Sequence, residues 1–139
     1  MYRRAWIWGG ISLLLLPLTT LANDPVVVVN AETSIESVSR SELQHLYLGR
    51  TKTVKDVEVE AVNLPENHPL REEFHQKVIG RNREQMSRYW ARALFTGTAT
   101  PPKTVQNEKE VVEVVSDRPA VGYISTPAEG EAIREVDLQ

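Results

Sequence analysis

Four valines in a row, Val26 to Val29, closed by Asn30, constrain the fold more than any other feature of this chain. A β-branched run without polar alternation fits a strand covered on both faces, because a face left in water would need polar residues at every second position. A second such run, Ala120-Val121-Gly122-Tyr123-Ile124, lies toward the other end. Helical patterns fill the space between the two runs. The combination predicts an α/β fold: a largely parallel sheet with helices packed on it, joined by right-handed crossovers.

The intervening segments carry their own signals. Ser39-Arg40-Ser41-Glu42 has the spacing of a capping box opening a helix, with Leu43, Leu46 and Tyr47 as its apolar stripe and Gly49 at its end. Residues 57 to 63 alternate and then become apolar, which predicts one strand less protected than the first. Pro69 suits the first position of a helix, where its missing N–H costs nothing; Leu70, Phe74 and Val78 then recur every four residues until Gly80. Asn82 to Gln85 repeats the cap spacing, and Met86, Tyr89, Trp90, Ala93 and Leu94 predict a helix face that must be buried. Residues 98 to 104, with Pro101 and Pro102, read as an ordered loop. Asn107 to Glu110 makes a third cap, for a helix burying Val111, Val112 and Val115, and residues 133 to 138 predict a short edge strand. Neither internal repeats nor low-complexity tracts interrupt this order.

At the N-terminus Arg3 and Arg4 precede the apolar run Ile11 to Leu18, and Thr20-Leu21-Ala22 ends on a small residue. That is the pattern of a secretory signal cut after Ala22. Gly9, Gly10, Ser12 and Pro17 interrupt the run, which falls short of the roughly 20 apolar residues a membrane-spanning helix needs. Removal of residues 1–22 leaves 117 residues, one domain over 23–139, and takes the formal charge from −3 to −5. An acidic chain of this kind has no footprint for nucleic acid. It contains no cysteine, which excludes disulfides, a thiol nucleophile, a thiolate metal site and a lipid-modified cysteine. The expected product is periplasmic, soluble, not a lipoprotein and without stable membrane insertion.

The residues also resemble a known family. The order of Val26 to Asn30, Ser39-Arg40-Ser41-Glu42-Leu43 with Tyr47-Leu48-Gly49-Arg50, Ala61-Val62-Asn63, Leu70-Arg71-Glu72-Glu73-Phe74, and Gly122-Tyr123-Ile124 resembles the phosphate-type substrate-binding proteins of ABC transporters, and more narrowly their short single-lobe members. The resemblance spans nearly the whole chain after the leader. It implies a single three-layer lobe of a type II periplasmic binding protein-like fold, with a mixed, mostly parallel sheet flanked by helices. It also implies a non-catalytic binding role without a cofactor, and a small oxyanion such as phosphate as ligand.

The chain departs from that pattern where the family holds its anion. Full-length receptors close two lobes on phosphate, and the matching stretch carries an acidic residue followed by Ser-Gly-Thr. Here it reads Glu66-Asn67-His68-Pro69-Leu70, without hydroxyls and with proline in place of a donor glycine. Each unpaired anion oxygen in a closed site forfeits about 1–3 kcal/mol, so tight capture of phosphate by this lobe alone is not expected.

Five residues remain as candidate ligand contacts. His68, held out of the helix by Pro69, stands at its mouth, where a cap or plain turn residue is the preferred reading, and the amides of Leu70 and Arg71 there are free to meet an anion. Arg71 either faces such an anion or is answered by Glu72 and Glu73. Ser34 and Ser37 follow the first strand, at the carboxyl edge where open α/β sheets bind ligands; loop and cap chemistry explains them equally well. His68, Glu72 and His75 at i, i+4 and i+7 lack the spacing of a helical zinc motif, and a solvated face is the preferred reading. Arg81, Arg83, Arg88 and Arg92 form a basic flank in which Glu84 pairs with Arg88, and a solvated flank is the preferred reading over a docking patch. No nucleophile is paired with a base, so no catalytic residue is assigned. Two functions stay open: a small-anion binder, completed by a dimer or partner lobe, or a ligand-less interaction or sensory module docking on an envelope or membrane protein.

Overall fold

A computed structural model describes residues 24–128 and 130–139; the expected leader and its cleavage point lie outside the described residues. The valine run forms β1 (Val26–Asn30), in which Val27, Val28 and Val29 are all buried. The polar stretch after it contributes β2 (Ser37–Val38) and then α1 (Arg40–Tyr47). Ser39 and Glu42 cap α1 reciprocally, as their spacing predicts, and Leu43, Leu46 and Tyr47 are buried. Next come β3 (Thr53–Val54), β4 (Val57–Glu58) and β5 (Glu60–Asn63).

The single strand expected over residues 57–63 is therefore two. Val57 and Glu58 pair back on Thr53 and Val54 in a small hairpin, and the chain re-enters the main sheet only at Glu60. Ala61, Val62 and Asn63 are buried, so β5 is an interior strand rather than a less protected one. Alternation at the start of the segment reflects the hairpin, not the sheet.

Pro69 occupies the first turn of α2 (Pro69–Phe74), which widens into a π-helical turn (His75–Ile79) before left-handed Gly80. Then come α3 (Arg83–Thr96), β6 (Lys103–Thr104), α4 (Glu108–Asp117), β7 (Ala120–Ile124), β8 (Ile133–Glu135) and β9 (Asp137–Leu138). The expected loop over 98–104 ends in β6, which pairs with β5 through its backbone while both its side chains stay exposed. With nothing buried, it left no apolar pattern in the sequence.

The main sheet has the order β6-β5-β7-β1-β8. β5 runs parallel to β6 and β7, whereas β1 runs antiparallel to both β7 and β8. Four strands thus share one direction and β1 alone opposes them, which makes the sheet mixed and mostly parallel. β7 holds the central place, with β1 beside it.

Alternation along β7 shows the layers. Tyr123 stacks on Phe74 of α2 with centroids 4.0 Å apart and lies 6.1 Å from Tyr47 of α1. Its neighbour Gly122 faces the opposite side, where an added Cβ would meet a Val111 methyl of α4 at 2.6 Å. Helices α1 and α2 therefore cover one face and α4 the other. The Tyr47 hydroxyl, fully buried, donates toward the carbonyls of Val62 and Val121 at 2.8 and 3.2 Å, satisfying its polar end inside the core.

Helix α3 corrects a stronger expectation. Met86 and Ala93 are buried and Tyr89 and Trp90 half-buried, but Leu94 is 60% exposed and Phe95 93% exposed. Its periodic stripe is covered at the middle and bare at the C-terminal end.

Candidate functional site at the carboxyl ends of β5 and β7

Because β5 and β7 are parallel, both deliver their chains to one edge, and the N-termini of α2 and α4 converge there. The peptide before Pro69 holds His68 extended, at φ −77° and ψ 126°, and its Nδ1 accepts the Leu70 N–H at 3.1 Å. With Nδ1 accepting, the proton of the neutral ring sits on Nε2. Nε2 stands 3.9 Å from Oε2 of Glu108, in the first turn of α4. The other oxygen of that carboxylate accepts the Ser125 N–H, just past β7, at 2.5 Å. An imidazole and a backbone amide from two loops are thus aimed at one negatively charged group, and the protein supplies that group itself.

Beneath this surface lies a buried polar network. Tyr123 donates its hydroxyl to Asn63 Oδ1 and accepts the Leu64 N–H at 3.2 Å; burial pushes that phenol's pKa up. Asn63 Nδ2 lies 3.5 Å from Nε2 of His75, which is only 5% exposed. Burial, and secondarily the charge of Arg71, push the His75 pKa down to about 4, so the ring is neutral. Arg71 donates from Nη1 to the Leu64 carbonyl at 2.9 Å, tying the loop over residues 64–68 to α2.

Several sequence expectations change at this edge. The amides of Leu70 and Arg71, read as free, are taken by His68 Nδ1 and by the His68 carbonyl at 3.1 Å. Arg71 is answered by a carbonyl rather than by Glu72 or Glu73, which pair instead with Arg83 and Lys77. His75 is inside rather than on a solvated face, carried inward on the π-helical turn, and no metal-binding cluster occurs among the described residues.

The five candidates are not brought together. His68, Leu70 and Arg71 share the edge where α2 and α4 begin. Since β1 opposes β7, with Val26 beside Ile124 and Val29 beside Val121, its C-terminal end lies at the far end of the sheet. Ser34 leaves from there and is exposed. Ser37 is drawn into β2, paired with Asp137 of β9 beyond the β8 margin. The carboxyl-edge rule, applied to β1 as though it were parallel, points Ser34 away from the site.

Glu108 and Ser125 carry no mark in the sequence that singles them out. Glu108 shows there only as part of a cap, and Ser125 only as the residue after a strand. The same edge rule applied to β7 points to Ser125. Near the site, a recess of about 200 Å3 between α2 and α3 is bounded by Arg71, His75, Arg83 and Trp90. A larger open recess, about 990 Å3, lies at the other end of the sheet, against Glu60 and Pro119. Among the described residues neither His68 nor His75 accepts a hydrogen bond from a serine or threonine hydroxyl, and no helix is long and apolar enough to cross a membrane.

Solved structures share this arrangement of strands and helices. The fold is that of phosphate-receptor lobes. An ABC-type phosphate transport receptor from Vibrio cholerae superposes with a TM-score of 0.63 at 16% identity, over 83% of this chain and 46% of its own. A phosphate-bound substrate-binding protein from Clostridium perfringens, assigned to phosphate ABC transport, gives 0.64 at 15%, over 83% and 44%. PstS from Borrelia burgdorferi gives 0.63 at 14%, over 83% and 47%. The chain spans less than half the length of these proteins. No protein-family model matches the sequence, and no curated protein matches it. The resemblance read from the residues and the likeness in three dimensions agree on this fold.

Proposed function

We propose that the domain is an exported, non-catalytic relative of phosphate-type substrate-binding proteins that takes a small oxyanion weakly at the carboxyl ends of β5 and β7. The observation that supports this most is the Glu108 carboxylate itself, an anionic group met by the Ser125 N–H and facing His68 Nε2. A phosphate oxygen asks for the same two donors. The shared fold favours this reading over a ligand-less module.

Weakness follows from the count of donors. The Ser125 N–H is shared with Glu108, the amides of Leu70 and Arg71 are spent, and a helix N-terminus adds on the order of 1 kcal/mol at an exposed site. Affinity in the millimolar range, about −4 kcal/mol, is the consequence. A second lobe, from a partner or another copy, would raise it by enclosing the remaining oxygens. The leader ending at Ala22, periplasmic residence and the absence of a lipid anchor belong to the same reading.

The test is a titration of the leader-free protein with phosphate, sulfate and acetate, followed by Trp90 fluorescence and melting temperature. Saturation by phosphate near millimolar concentration, lost in His68→Ala, is the expected result. No change at tens of millimolar, or an identical curve for His68→Ala, defeats the reading. Intact mass of the protein from the periplasmic fraction checks cleavage before Asn23.

A further inference from the structure

Helix α3 carries a basic surface that the carboxyl-edge site does not use. The half-buried Tyr89 is pinned by its hydroxyl, which donates to the Leu48 carbonyl at 2.5 Å. The Arg81 guanidinium lies 5.0 Å from its ring centre and that of Arg50 5.8 Å, so the ring is shared by two cations. Arg88 and Arg92 join Arg81 around an open recess of about 500 Å3 beside Tyr89. Among the described residues none of these four arginines has a carboxylate at ion-pair distance, and Glu84, which its spacing pairs with Arg88, makes no such contact.

Gathered cations without an answering anion raise one another's energy, and this chain carries a net charge of −3, with acidic groups in excess. Farther along the same helix face the charge gives way to bare hydrocarbon at Phe95. Arg88, Arg92 and Phe95 recur at i, i+4 and i+7, a stripe about 10 Å long.

We propose that this face of α3 docks a short segment of a partner protein in which carboxylates precede an apolar side chain. The carboxylates lie over Arg81, Arg88 and Arg92, where a guanidinium fork donates to both oxygens, and the apolar side chain covers Phe95. A small free anion answers the arginines and leaves Phe95 in water. An anionic membrane surface meets the whole flank of a net acidic protein, beyond the roughly 8 Å over which charges are screened, whereas a narrow segment meets the arginines alone. Phe95 and the unpaired arginines together therefore select the segment.

The test titrates a fluorescein-labelled Asp-Glu-Asp-Asp-Leu-Phe peptide with the protein, by anisotropy, beside a peptide in which lysine replaces each acid. Expected are saturable binding of the acidic peptide that weakens with salt, a loss of about tenfold or more in the Arg88→Glu, Arg92→Glu double variant, and a smaller loss in Phe95→Ser. These side chains are exposed, so the variants keep the parent melting temperature. His68→Ala binds the peptide normally, which separates this surface from the oxyanion reading. The proposal is overturned by absent or non-saturating binding or by indifference to the substitutions. It is equally overturned by a preference for tripolyphosphate over the peptide, or by capture on equimolar phosphatidylglycerol and phosphatidylcholine vesicles without capture of the peptide.

Discussion

His68 Nε2 faces Glu108 Oε2 across 3.9 Å, joining the loop after β5 to the first turn of α4. The pair sets a local contest, because the carboxylate occupies the space into which an incoming oxyanion would bring like charge. Glu108→Gln removes the charge while keeping the shape. Phosphate binding by this variant is expected to tighten by about tenfold, the equivalent of about 1.4 kcal/mol, while the weaker amide bond to Ser125 lowers stability by about 1 kcal/mol. Titration calorimetry and a urea melt read the two effects separately. Phosphate binding weaker than in the parent protein would mean that Glu108 assists the anion rather than competing with it.

His75 makes stability depend on pH. An unfolded imidazole titrates near 6.5 and the buried one near 4. Above pH 6.5 both states are neutral and the contribution is complete. As pH falls from 6.5 toward 4, the unfolded chain takes up a proton that the native ring refuses, and stability drops by about 3 kcal/mol. Urea melts across this window should show a steeper fall for the parent protein than for His75→Gln. Parallel profiles would place the proton uptake elsewhere.

Gly122 is required by proximity rather than by backbone conformation. A methyl group there meets Val111 at 2.6 Å and Val115 at 3.4 Å, and valine has little rotamer freedom with which to retreat. Gly122→Ala is expected to cost about 1–3 kcal/mol by pushing α4 off the sheet. The companion Val111→Ala, by opening the space, should recover part of that loss in the double variant. A neutral Gly122→Ala would contradict the close approach of α4 to β7.

Asn30 is buried at the end of β1 and donates from Nδ2 to the Val115 carbonyl at 2.9 Å, with the carbonyls of Ser116 and Arg118 at 3.3 Å. Its Oδ1 accepts the Glu32 N–H at 2.9 Å. One side chain therefore closes the C-terminus of α4 and the turn after β1. Asn30→Ala should cost about 2–3 kcal/mol because it strands several buried groups at once, whereas the exposed cap variant Asn82→Ala costs about 1 kcal/mol. Equal losses in thermal melts would deny Asn30 this role.

The local signals are legible because they are written within a few residues. Ser39 with Glu42, Asn82 with Gln85, and Pro69 after His68 announce helix starts, and the structure has each of them. The runs at β1 and β7 announce burial, since covered faces exclude polar residues. β6 has no such mark, because its pairing is made by backbone and its side chains face water. The same holds for the candidate site: His68 is visible through its proline, but Glu108 becomes interesting only beside Ser125 and His68, which are distant in sequence.

The sequence by itself determined the principal helices, the two buried strands β1 and β7, most of their apolar faces, and that helices would enclose a sheet. Only the tertiary structure decided that β1 opposes its neighbours, which sends Ser34 to the far end of the sheet from His68, and that His75 turns inward to meet Asn63. Residue spacing encodes which side of an element is buried. It does not encode strand direction or the partner reached across the fold, because those depend on pairings between segments tens of residues apart, chosen by the packing of the whole domain.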